Sequence, residues 1–248
     1  MMTSLRSPWL RLPLLVATLF LTACAGTQSR NTDPVNDPWE GYNRKMHAFN
    51  MGLDKYVARP LAVGYDRITP DPIQRGIGNF FRNLNYPVTG LNQLLQGKFD
   101  EFGESTERFL ANTIFGLLGF IDIASMGNVP QHDEDFGQTL AVWGWEDSRY
   151  FVLPVLGPRT VRDTLGRSFY GFFHPISYAA REEGIYWPIA ADLLQVRAAL
   201  LPQDQAMLES YDPYVFVRDA WLQRREFLIY DGDPPELDYD AFLEELEE

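Results

Sequence analysis

The chain has 248 residues, of which 46% are hydrophobic and 14% aromatic, and its formal net charge at pH 7 is −13. This length suits one domain with a substantial core. Because nucleic-acid binding requires a basic surface, we expect no nucleic-acid partner for so acidic a chain. The single cysteine, Cys24, excludes an intramolecular disulfide.

Residues 1–23 have the features of a lipoprotein signal peptide. Two arginines precede the apolar run 12–21, which is too short to span a bilayer, and LTAC at 21–24 resembles the bacterial lipobox. We therefore expect cleavage before Cys24, a covalent lipid on that residue and no other cofactor. Ala25 is not aspartate, which in lipoproteins resembling this one favours sorting to the outer membrane.

Three further segments complete the predicted organisation. Residues 24–36 form a polar tether that reaches about 20 Å as a loose coil. Residues 37–230 form the helical domain, which the tether holds close to the membrane. Residues 231–248 carry nine acidic side chains and no basic one, and we expect this acidic tail to be disordered or loosely helical.

The opening segment 37–60 predicts a strongly two-sided helix. Asp37 can cap the free N–H groups, and Pro38 suits the first helical position. Apolar side chains recur at helical spacing and form one stripe beside a polar seam. The stripe is Trp39, Tyr42, Met46, Phe49, Leu53 and Val57, and the seam is Asn43, His47, Asn50 and Asp54. This pattern suits either a packed core or a lipid surface.

More helices follow in chain order. Arg59-Pro60 predicts a break or kink, and Asp71-Pro72 opens the next helix. We expect that helix to end at Tyr86-Pro87, and a third short helix then runs to Gly97, which can terminate it. A longer amphipathic helix begins near Lys98.

The stretch 114–127 is the most apolar part of the predicted mature chain. As a helix it would rise about 20 Å, short of the roughly 30 Å hydrocarbon core, and Asp122 interrupts it, so it cannot span a bilayer. It can cross one leaflet or lie as a hairpin in the interface. An ordinary buried helix is the alternative.

The remaining chain combines loops, short helices and one extended apolar segment. We expect an acidic loop at 128–137, a short helix or strand at 137–145, the extended segment at 150–158, and helices at 160–174, at 185–201 and from Asp212. Because two-residue alternation is scarce, the chain is predicted to be mostly α.

Catalytic and metal-binding motifs are weak. The chain has no GxSxG, no HExxH and no phosphate-binding glycine loop, and its three histidines lie far apart. The run 132–135 (HDED) can bind a hard cation, but a solvated acidic loop is the alternative, because cation loops need ligands at set spacing. We therefore expect no metal and no catalytic residue.

Five blocks occur in order behind the lipobox. They are DPWEGYNRKMHAFN (37–50), LLQGK (94–98) with ERFLANTIFGLLGFIDIA (107–124), EDFGQTLAVWG (134–144), YFVLPVLGPRTVRD (150–163) and DPYVFVRDAWLQRREF (212–227). With these blocks the chain resembles the MlaA (VacJ) family of outer-membrane lipoproteins over nearly all of its predicted mature length.

The resemblance implies a mostly α, ring-shaped bundle of short amphipathic helices. The ring is expected in the periplasmic leaflet of the outer membrane, around an amphipathic central channel. In the family, phospholipid mislocalised in the outer leaflet passes through this channel to a soluble periplasmic carrier, MlaC, which hands it to an inner-membrane ABC transporter. Family members associate with trimeric porins. The implied function is phospholipid transfer that maintains lipid asymmetry without bond chemistry, so we expect no enzymatic activity.

Two sets of residues are candidates for the lipid path. Asn43, His47 and Asn50 are predicted to contribute to a headgroup path, with structural hydrogen bonding as the alternative. The region 114–144 is a candidate gating hairpin whose glycines offer hinges, unless they serve close packing. These glycines are Gly116, Gly119, Gly127, Gly137 and Gly144.

Other interpretations stay open. A lipid-modifying enzyme, such as an acyltransferase or phospholipase, needs a nucleophile and base and would alter lipid products. A structural envelope lipoprotein needs no channel, and its loss would leave outer-leaflet phospholipid unchanged. For the acidic tail we predict salt-sensitive docking onto a basic patch of the carrier, with a dispensable, solvated tail as the alternative.

Overall fold

The computed structural model describes residues 37–145, 147–174 and 186–235. The predicted signal peptide, Cys24, the tether and residues 236–248 of the acidic tail lie outside the described residues. None of the described helices combines the length and the apolar character that crossing a bilayer requires.

Helices dominate the described chain, which confirms the prediction of a mostly α protein. The first half contains α1 (Glu40–Leu53), a π-helical turn (Asp54–Ala58), α2 (Arg59–Ile68), α3 (Asp71–Gln96), α4 (Phe99–Ile114), α5 (Ile123–Met126) and α6 (Phe136–Val142). The second half contains β1 (Tyr150–Leu153), β2 (Gly157–Thr160), α7 (Val161–Phe173), α8 (Tyr186–Ala199), a 3₁₀ turn (Leu201–Gln203), α9 (Asp204–Glu209) and α10 (Pro213–Ile229). Helix α3 packs on α4, α8 contacts α2 and α3, and α6 contacts α7 and α10.

Helix α3 runs unbroken through Pro87, so the predicted break at Tyr86-Pro87 is wrong. A proline inside a helix removes one hydrogen bond and clashes with the preceding turn, at a cost of about 3 kcal/mol. Its neighbours Tyr86 and Val88 are both buried, and burying one such side chain contributes about 1.5–3 kcal/mol. Burial therefore outweighs the local cost. Gly97 ends the helix in the left-handed conformation at φ +80°, as predicted.

Of the break or kink predicted at Arg59-Pro60, the break is wrong, because the chain passes through the π-helical turn directly into α2. Pro60 is the second residue of α2, where a proline is tolerated. Arg197 of α8 binds both carboxylate oxygens of Asp54 at the start of this turn, at 2.6 and 2.9 Å, and also binds Asp204. This network fixes the first helical segment to the second half of the chain.

Three Asp-Pro sequences lie near helix starts as predicted, but the side-chain cap predicted at Asp37 is wrong, and of the three only Asp212 supplies a cap. Asp212 caps α10 by accepting hydrogen bonds from two backbone N–H groups of its first turn, at 3.0 and 3.3 Å. Asp71 is the first residue of α3 rather than its cap. Helix α1 begins only at Glu40, and the buried Asp37 carboxylate instead accepts hydrogen bonds from polar side chains of α1 and α10.

The apolar stretch 114–127 is not the ordinary buried helix that was one alternative. Helix α4 ends at Ile114, and turns follow as far as Ile121. Leu117 and Leu118 have positive φ angles of 52° and 59°, and they are 70% and 62% exposed. Because this conformation costs a non-glycine residue on the order of 1–3 kcal/mol, the surrounding structure must hold both leucines there.

Polar side chains fill much of the described interior, while large apolar side chains cover much of its surface. Asn43, Gln93 and Arg108 are at most 1% exposed, whereas Phe99 and Phe115 are 69% and 72% exposed. Large exposed apolar area on a protein marks a surface that contacts a partner or a lipid. The distribution therefore shows that much of the apolar surface is not packed into a protein core.

The extended segment predicted at 150–158 forms the antiparallel hairpin β1–β2, with Tyr150 opposite Thr160 and Leu153 opposite Gly157. Its inward side chains Tyr150 and Val152 form an apolar cluster with Tyr214 of α10. Residues of α1 and α10 pack around this cluster, so the hairpin joins the two ends of the helical domain.

Candidate functional site

Two adjoining cavities of about 660 and 650 Å³ form the candidate site. We call them cavity A, between α3, α6, α7 and α10, and cavity B, between α3 and α8. Four residues line both cavities: Asn85, Asp133, Arg167 and Asp192. Each cavity alone has the size of a small-molecule site, and we call the adjoining pair the passage.

Cavity A is amphipathic. Its apolar lining comes from α3, α6 and α10 and from the residue after α6: Val88, Leu91, Leu95, Phe136, Trp143, Trp221 and Leu228. Its charged lining is Asp133, Glu134, Asp135, Arg159, Asp163, Arg167, Asp192, Arg224 and Arg225. A space with both kinds of lining can hold a molecule that has a charged head and an apolar tail.

The buried Arg225 of α10 holds one end of cavity A together. Its guanidinium contacts Asp135 and Asp163 at 2.7 Å each and Gln138 at 3.1 Å. Burial acts to raise the pKa of Asp135, but the hydrogen bonds and charge of Arg225 outweigh it and hold that pKa below its ordinary value. A Cβ on Gly137 would lie 2.3 Å from the Asp163 carboxylate, so this network requires glycine there.

Arg159 of β2 takes no part in the ion pairs of Arg225. It is half-buried, it lines cavity A, and its Nε atom is buried without a hydrogen-bond partner among the described residues. Burial lowers the pKa of Arg159, and the neighbouring charge of Arg167 lowers it further. Arg167 lines both cavities, whereas Arg159 lines cavity A alone.

The predicted acidic loop at 128–137 is not solvated throughout, because two of its side chains contact side chains of α4 and of the residue before it. Glu134 is buried and contacts the ammonium of Lys98 at 2.7 Å, while His132 contacts Glu104 at 2.5 Å. The carboxylates of Glu101, Glu134 and Asp231 lie within 4.8 Å of one another. Because Lys98 also contacts Asp231, the protein itself supplies positive charge to this acidic group.

Asn43 and Asn50 bind the hairpin backbone. The Asn43 amide accepts from the Val152 N–H at 2.8 Å and donates to Asp37 at 2.6 Å, and Asn50 accepts from the Val155 N–H at 2.7 Å. These contacts match the alternative to a headgroup path, in which the two asparagines make structural hydrogen bonds. Neither residue is among the described residues that line cavity A or B.

His47 lies beside these contacts, edge-on to Tyr214 with ring centroids 5.6 Å apart. It is half-buried, and its Nε2 atom has no hydrogen-bond partner among the described residues. Burial lowers the pKa of His47, so the neutral form is favoured. His47 is likewise absent from the described linings of both cavities.

The candidate hinge glycines occupy different environments. At Gly116 and Gly119 an added Cβ would lie 2.1 Å from the Ile121 carbonyl oxygen and 2.3 Å from Asn83, so both sites serve close packing. Gly144, at φ +104°, has open space around it, and Gly127 has only ordinary contacts. Their role as hinges stays a prediction.

Sequence reasoning missed the arginines that line the cavities. Arg159 and Arg167 lie on the consecutive elements β2 and α7, whereas Arg225 comes from α10, which reaches the same cavity only in the fold. The available signal was local: Arg159 and Arg162 interrupt an otherwise apolar stretch, and a charge in such a context often has a buried role.

Comparisons with known proteins confirm the family resemblance. The family model described as MlaA lipoprotein matches residues 35–228. The intermembrane phospholipid transport system lipoprotein MlaA of Escherichia coli (strain K12) is 36% identical over 235 residues, which is 90% of this chain and 91% of that protein. The protein of the same name from Haemophilus influenzae is 31% identical over 226 residues, covering 89% of this chain and 90% of that protein.

A solved structure also supports the family assignment. It comes from work on the structural basis for maintenance of bacterial outer membrane lipid asymmetry, and it matches with a TM-score of 0.70 at 34% sequence identity. The match covers 78% of this chain and 98% of the solved one. The fold, the family model and the full-length relatives agree, and the chain belongs to the MlaA lipoprotein family.

Proposed function

We propose that this lipoprotein is the outer-membrane component of an intermembrane phospholipid transport system and maintains lipid asymmetry. The observation that carries the proposal is the pair of adjoining cavities, in which charged and apolar side chains line one passage. A phospholipid needs both kinds of lining, because its headgroup is charged while its acyl chains avoid water. The names of the relatives support the same function.

The proposed location is the periplasmic leaflet of the outer membrane, with the domain tethered through a lipid on Cys24. Exposed apolar side chains support this location, above all Ile114, Phe115, Leu117 and Leu118 at the end of α4, which are 62–72% exposed. Acyl chains would cover these side chains, which water solvates poorly. A domain set in one leaflet needs no spanning helix.

The adjoining cavities are the proposed channel. In this scheme a phospholipid mislocalised in the outer leaflet enters the passage and leaves towards the periplasm, where the carrier MlaC accepts it. Trimeric porins are the proposed neighbours in the membrane. The shared lining at Asn85, Asp133, Arg167 and Asp192 supports one continuous route rather than two separate pockets.

We propose transfer without bond chemistry. Several cavity carboxylates that could act as acids or bases are held in ion pairs: Asp135 and Asp163 by Arg225, and Glu134 by Lys98. Incubating the purified protein with phospholipid and analysing the lipids by mass spectrometry tests this point. Unchanged lipids are expected, and new acylated or hydrolysed products would favour a lipid-modifying enzyme.

The decisive experiment measures phospholipid in the outer leaflet of cells that lack the protein. We expect accumulation in the deletion strain and recovery with the wild-type chain. Asp133→Trp places an indole from an exposed loop at the junction of the cavities, so it should fail to restore asymmetry. Glu107→Trp, also at an exposed acid but outside the described linings, is the matched control.

An unchanged outer leaflet in the deletion strain would overturn the proposal in favour of a structural lipoprotein. Recovery with Asp133→Trp would instead exclude the junction as the route.

The acidic tail is the proposed docking site for the carrier. A chain truncated before Pro234 should bind the carrier more weakly at low salt, where charge attraction is least screened. Unchanged binding at low salt would show that the tail is dispensable.

A further inference from the structure

Three carboxylates converge where the start of α4, the loop after α5 and the end of α10 meet. Oxygen atoms of Glu101, Glu134 and Asp231 all lie within 4.8 Å of one another. Glu134 is buried, Glu101 is half-buried and Asp231 is exposed. Because calcium holds its oxygen ligands at about 2.3–2.6 Å, two oxygens of one coordination shell are at most about 5 Å apart. The three carboxylates therefore have the spacing of ligands to a single ion.

The protein supplies less positive charge to this cluster than the carboxylates carry. Lys98 contacts Glu134 at 2.7 Å and Asp231 at 2.5 Å. Glu101 has no lysine or arginine within ion-pair distance among the described residues, and its contact with the His132 ring is 3.6 Å long. Burial raises the pKa of Glu134, although Lys98 acts to lower it, so the surroundings of this carboxylate disfavour its charged form.

A buried amide that lacks good partners reaches the same cluster. Gln93 of α3 is 0% exposed, and its Oε1 atom has no hydrogen-bond partner among the described residues. Its Nε2 atom lies 3.5 Å from Oε2 of Glu101, which is too long for a good hydrogen bond. Half a turn of the amide exchanges these two atoms and turns an oxygen towards the Glu101 carboxylate. Two oxygens facing each other need a cation between them.

We propose that the carboxylates of Glu101, Glu134 and Asp231 and the amide oxygen of Gln93 bind a calcium ion. Calcium takes about six to eight oxygen ligands in flexible geometry, so bidentate carboxylates and water can complete the shell. The ion takes the place of the Lys98 ammonium, which its flexible four-carbon stem allows to turn towards solvent. Two positive charges then replace one among the three carboxylates.

Bound calcium ties α3, α4, the acidic loop and the end of α10 together. Glu134 lines cavity A, and its neighbour Asp133 lines both cavities, so the ion stiffens one wall of the passage. The sequence did not indicate this site, because its ligands come from four separate segments and the run HDED supplies one of them, Glu134.

The test uses the full lipidated chain, purified in detergent and stripped of metal with EDTA, and calcium chloride as the probe. Isothermal titration calorimetry should show saturable binding at one site in the wild type. Loss of a side chain that merely orients a metal ligand costs about 10–100-fold in affinity, so Glu101→Gln and Gln93→Leu should each weaken calcium binding about tenfold or more. Glu107→Gln removes an exposed carboxylate of the same helix as Glu101 and should bind like the wild type.

Lys98→Met distinguishes a metal site from an ordinary cluster of ion pairs. Without calcium this variant should melt below the wild type, because Glu134 and Asp231 lose their cation. It should bind calcium about tenfold more tightly than the wild type does, because the ion no longer competes with a positive charge. Its melting temperature should therefore rise more on adding calcium than that of the wild type.

Gln93→Leu keeps the test decisive if Lys98→Met does not fold without calcium. This substitution removes a poorly satisfied amide, so the variant should melt no lower than the wild type in EDTA, but it should lose most of the rise with calcium. A lower melting temperature in EDTA would show that the amide is structural and would overturn its assignment as a ligand.

Equal calcium affinities of the wild type, Glu101→Gln and Gln93→Leu would place the binding elsewhere, such as on the acidic tail, and overturn the inference. Absence of saturable binding to the wild type would overturn it as well. Magnesium chloride should raise the melting temperature less than calcium chloride, because magnesium demands near-octahedral geometry. An equal rise with both salts would show general screening of acidic charge rather than a calcium site.

Discussion

Arg108 shows how single buried polar side chains organise this protein. Only 1% exposed, it donates from Nη2 to both Asp122 oxygens at 2.8 and 2.9 Å, from Nε to the Tyr86 hydroxyl at 2.6 Å, and to the Val129 carbonyl. It thereby fixes the turns after α4 to α3. Burial raises the pKa of Asp122, but hydrogen bonds from Ser125 and Asn112 and the charge of Arg108 hold it below its ordinary value.

Arg108→Met should lower the free energy of unfolding by about 3–5 kcal/mol, because it leaves the Asp122 carboxylate without its cation. Thermal unfolding of the detergent-solubilised protein measures the loss. Arg75→Met, at an exposed position of α3, is the control and should change stability by less than about 0.5 kcal/mol. Equal melting of Arg108→Met and wild type would contradict the structural role.

His47 makes a stability contribution that depends on pH. Its folded pKa lies below the unfolded value of about 6.5, because burial disfavours the charged ring. The contribution of the neutral ring is therefore fully present above about pH 6.5 and declines as the pH falls from there towards the folded pKa. His47→Phe keeps a ring beside Tyr214 and removes the titration.

We expect the wild-type melting temperature to fall relative to that of His47→Phe between pH 7.5 and pH 5.5. A temperature difference that stays constant over this range would show that His47 titrates as it does in the unfolded chain.

At the scale of elements, the hairpin is held to α1 by side-chain amides. Asn43 is fully buried and contacts β1 through both its oxygen and its nitrogen, while the half-buried Asn50 contacts the end of β1 and the loop after it. Asn43 also satisfies one oxygen of the buried Asp37. These bonds join the start of the domain to the strands that carry Arg159.

Asn43→Leu should lower the free energy of unfolding by about 2–3 kcal/mol, because it leaves buried backbone groups of β1 without their partner and removes one of the hydrogen bonds to the buried Asp37 carboxylate. Asn50→Leu, at a more exposed position, should cost about 1 kcal/mol. Chemical denaturation measures both values, and limited proteolysis shows whether the hairpin loosens. Equal losses in the free energy of unfolding for the two variants would show that burial does not increase the contribution of the Asn43 hydrogen bonds to stability.

The same variants test the predicted headgroup role of this seam. If the double variant Asn43→Leu, Asn50→Leu folds and still restores lipid asymmetry in cells, the seam is structural and the path lies elsewhere.

At the scale of the whole molecule, the exposed apolar turn predicts membrane association that does not depend on the anchor. Cys24→Ser removes the predicted lipidation site, and we expect this chain to float with phospholipid vesicles in a density gradient. Adding Phe115→Ser, Leu117→Ser and Leu118→Ser should weaken flotation at least tenfold, because each side chain contributes about 1.5–3 kcal/mol when it leaves water. Flotation unaffected by the three serines would place the contact surface elsewhere.

Several features were predictable from the sequence because their causes are local. Helical periodicity marked α1 and α4, Gly97 ended α3, and Asp212 capped α10, since each depends on residues within a turn or two. The five ordered blocks also sufficed to identify the family. The break expected at Pro87 failed because packing on α4 outweighed the local preference of proline.

The site itself was decided by the tertiary structure. Arg225 and Asp135 are 90 residues apart in the chain, and Arg225 of α10 lines the same cavity as Arg159 of β2. Periodicity shows which face of a helix is apolar, but not whether that face meets protein or lipid. Here the fold exposes much of the apolar surface and buries many polar side chains, which is the distribution that the proposed location in a leaflet requires, because the solvent outside such a domain is apolar.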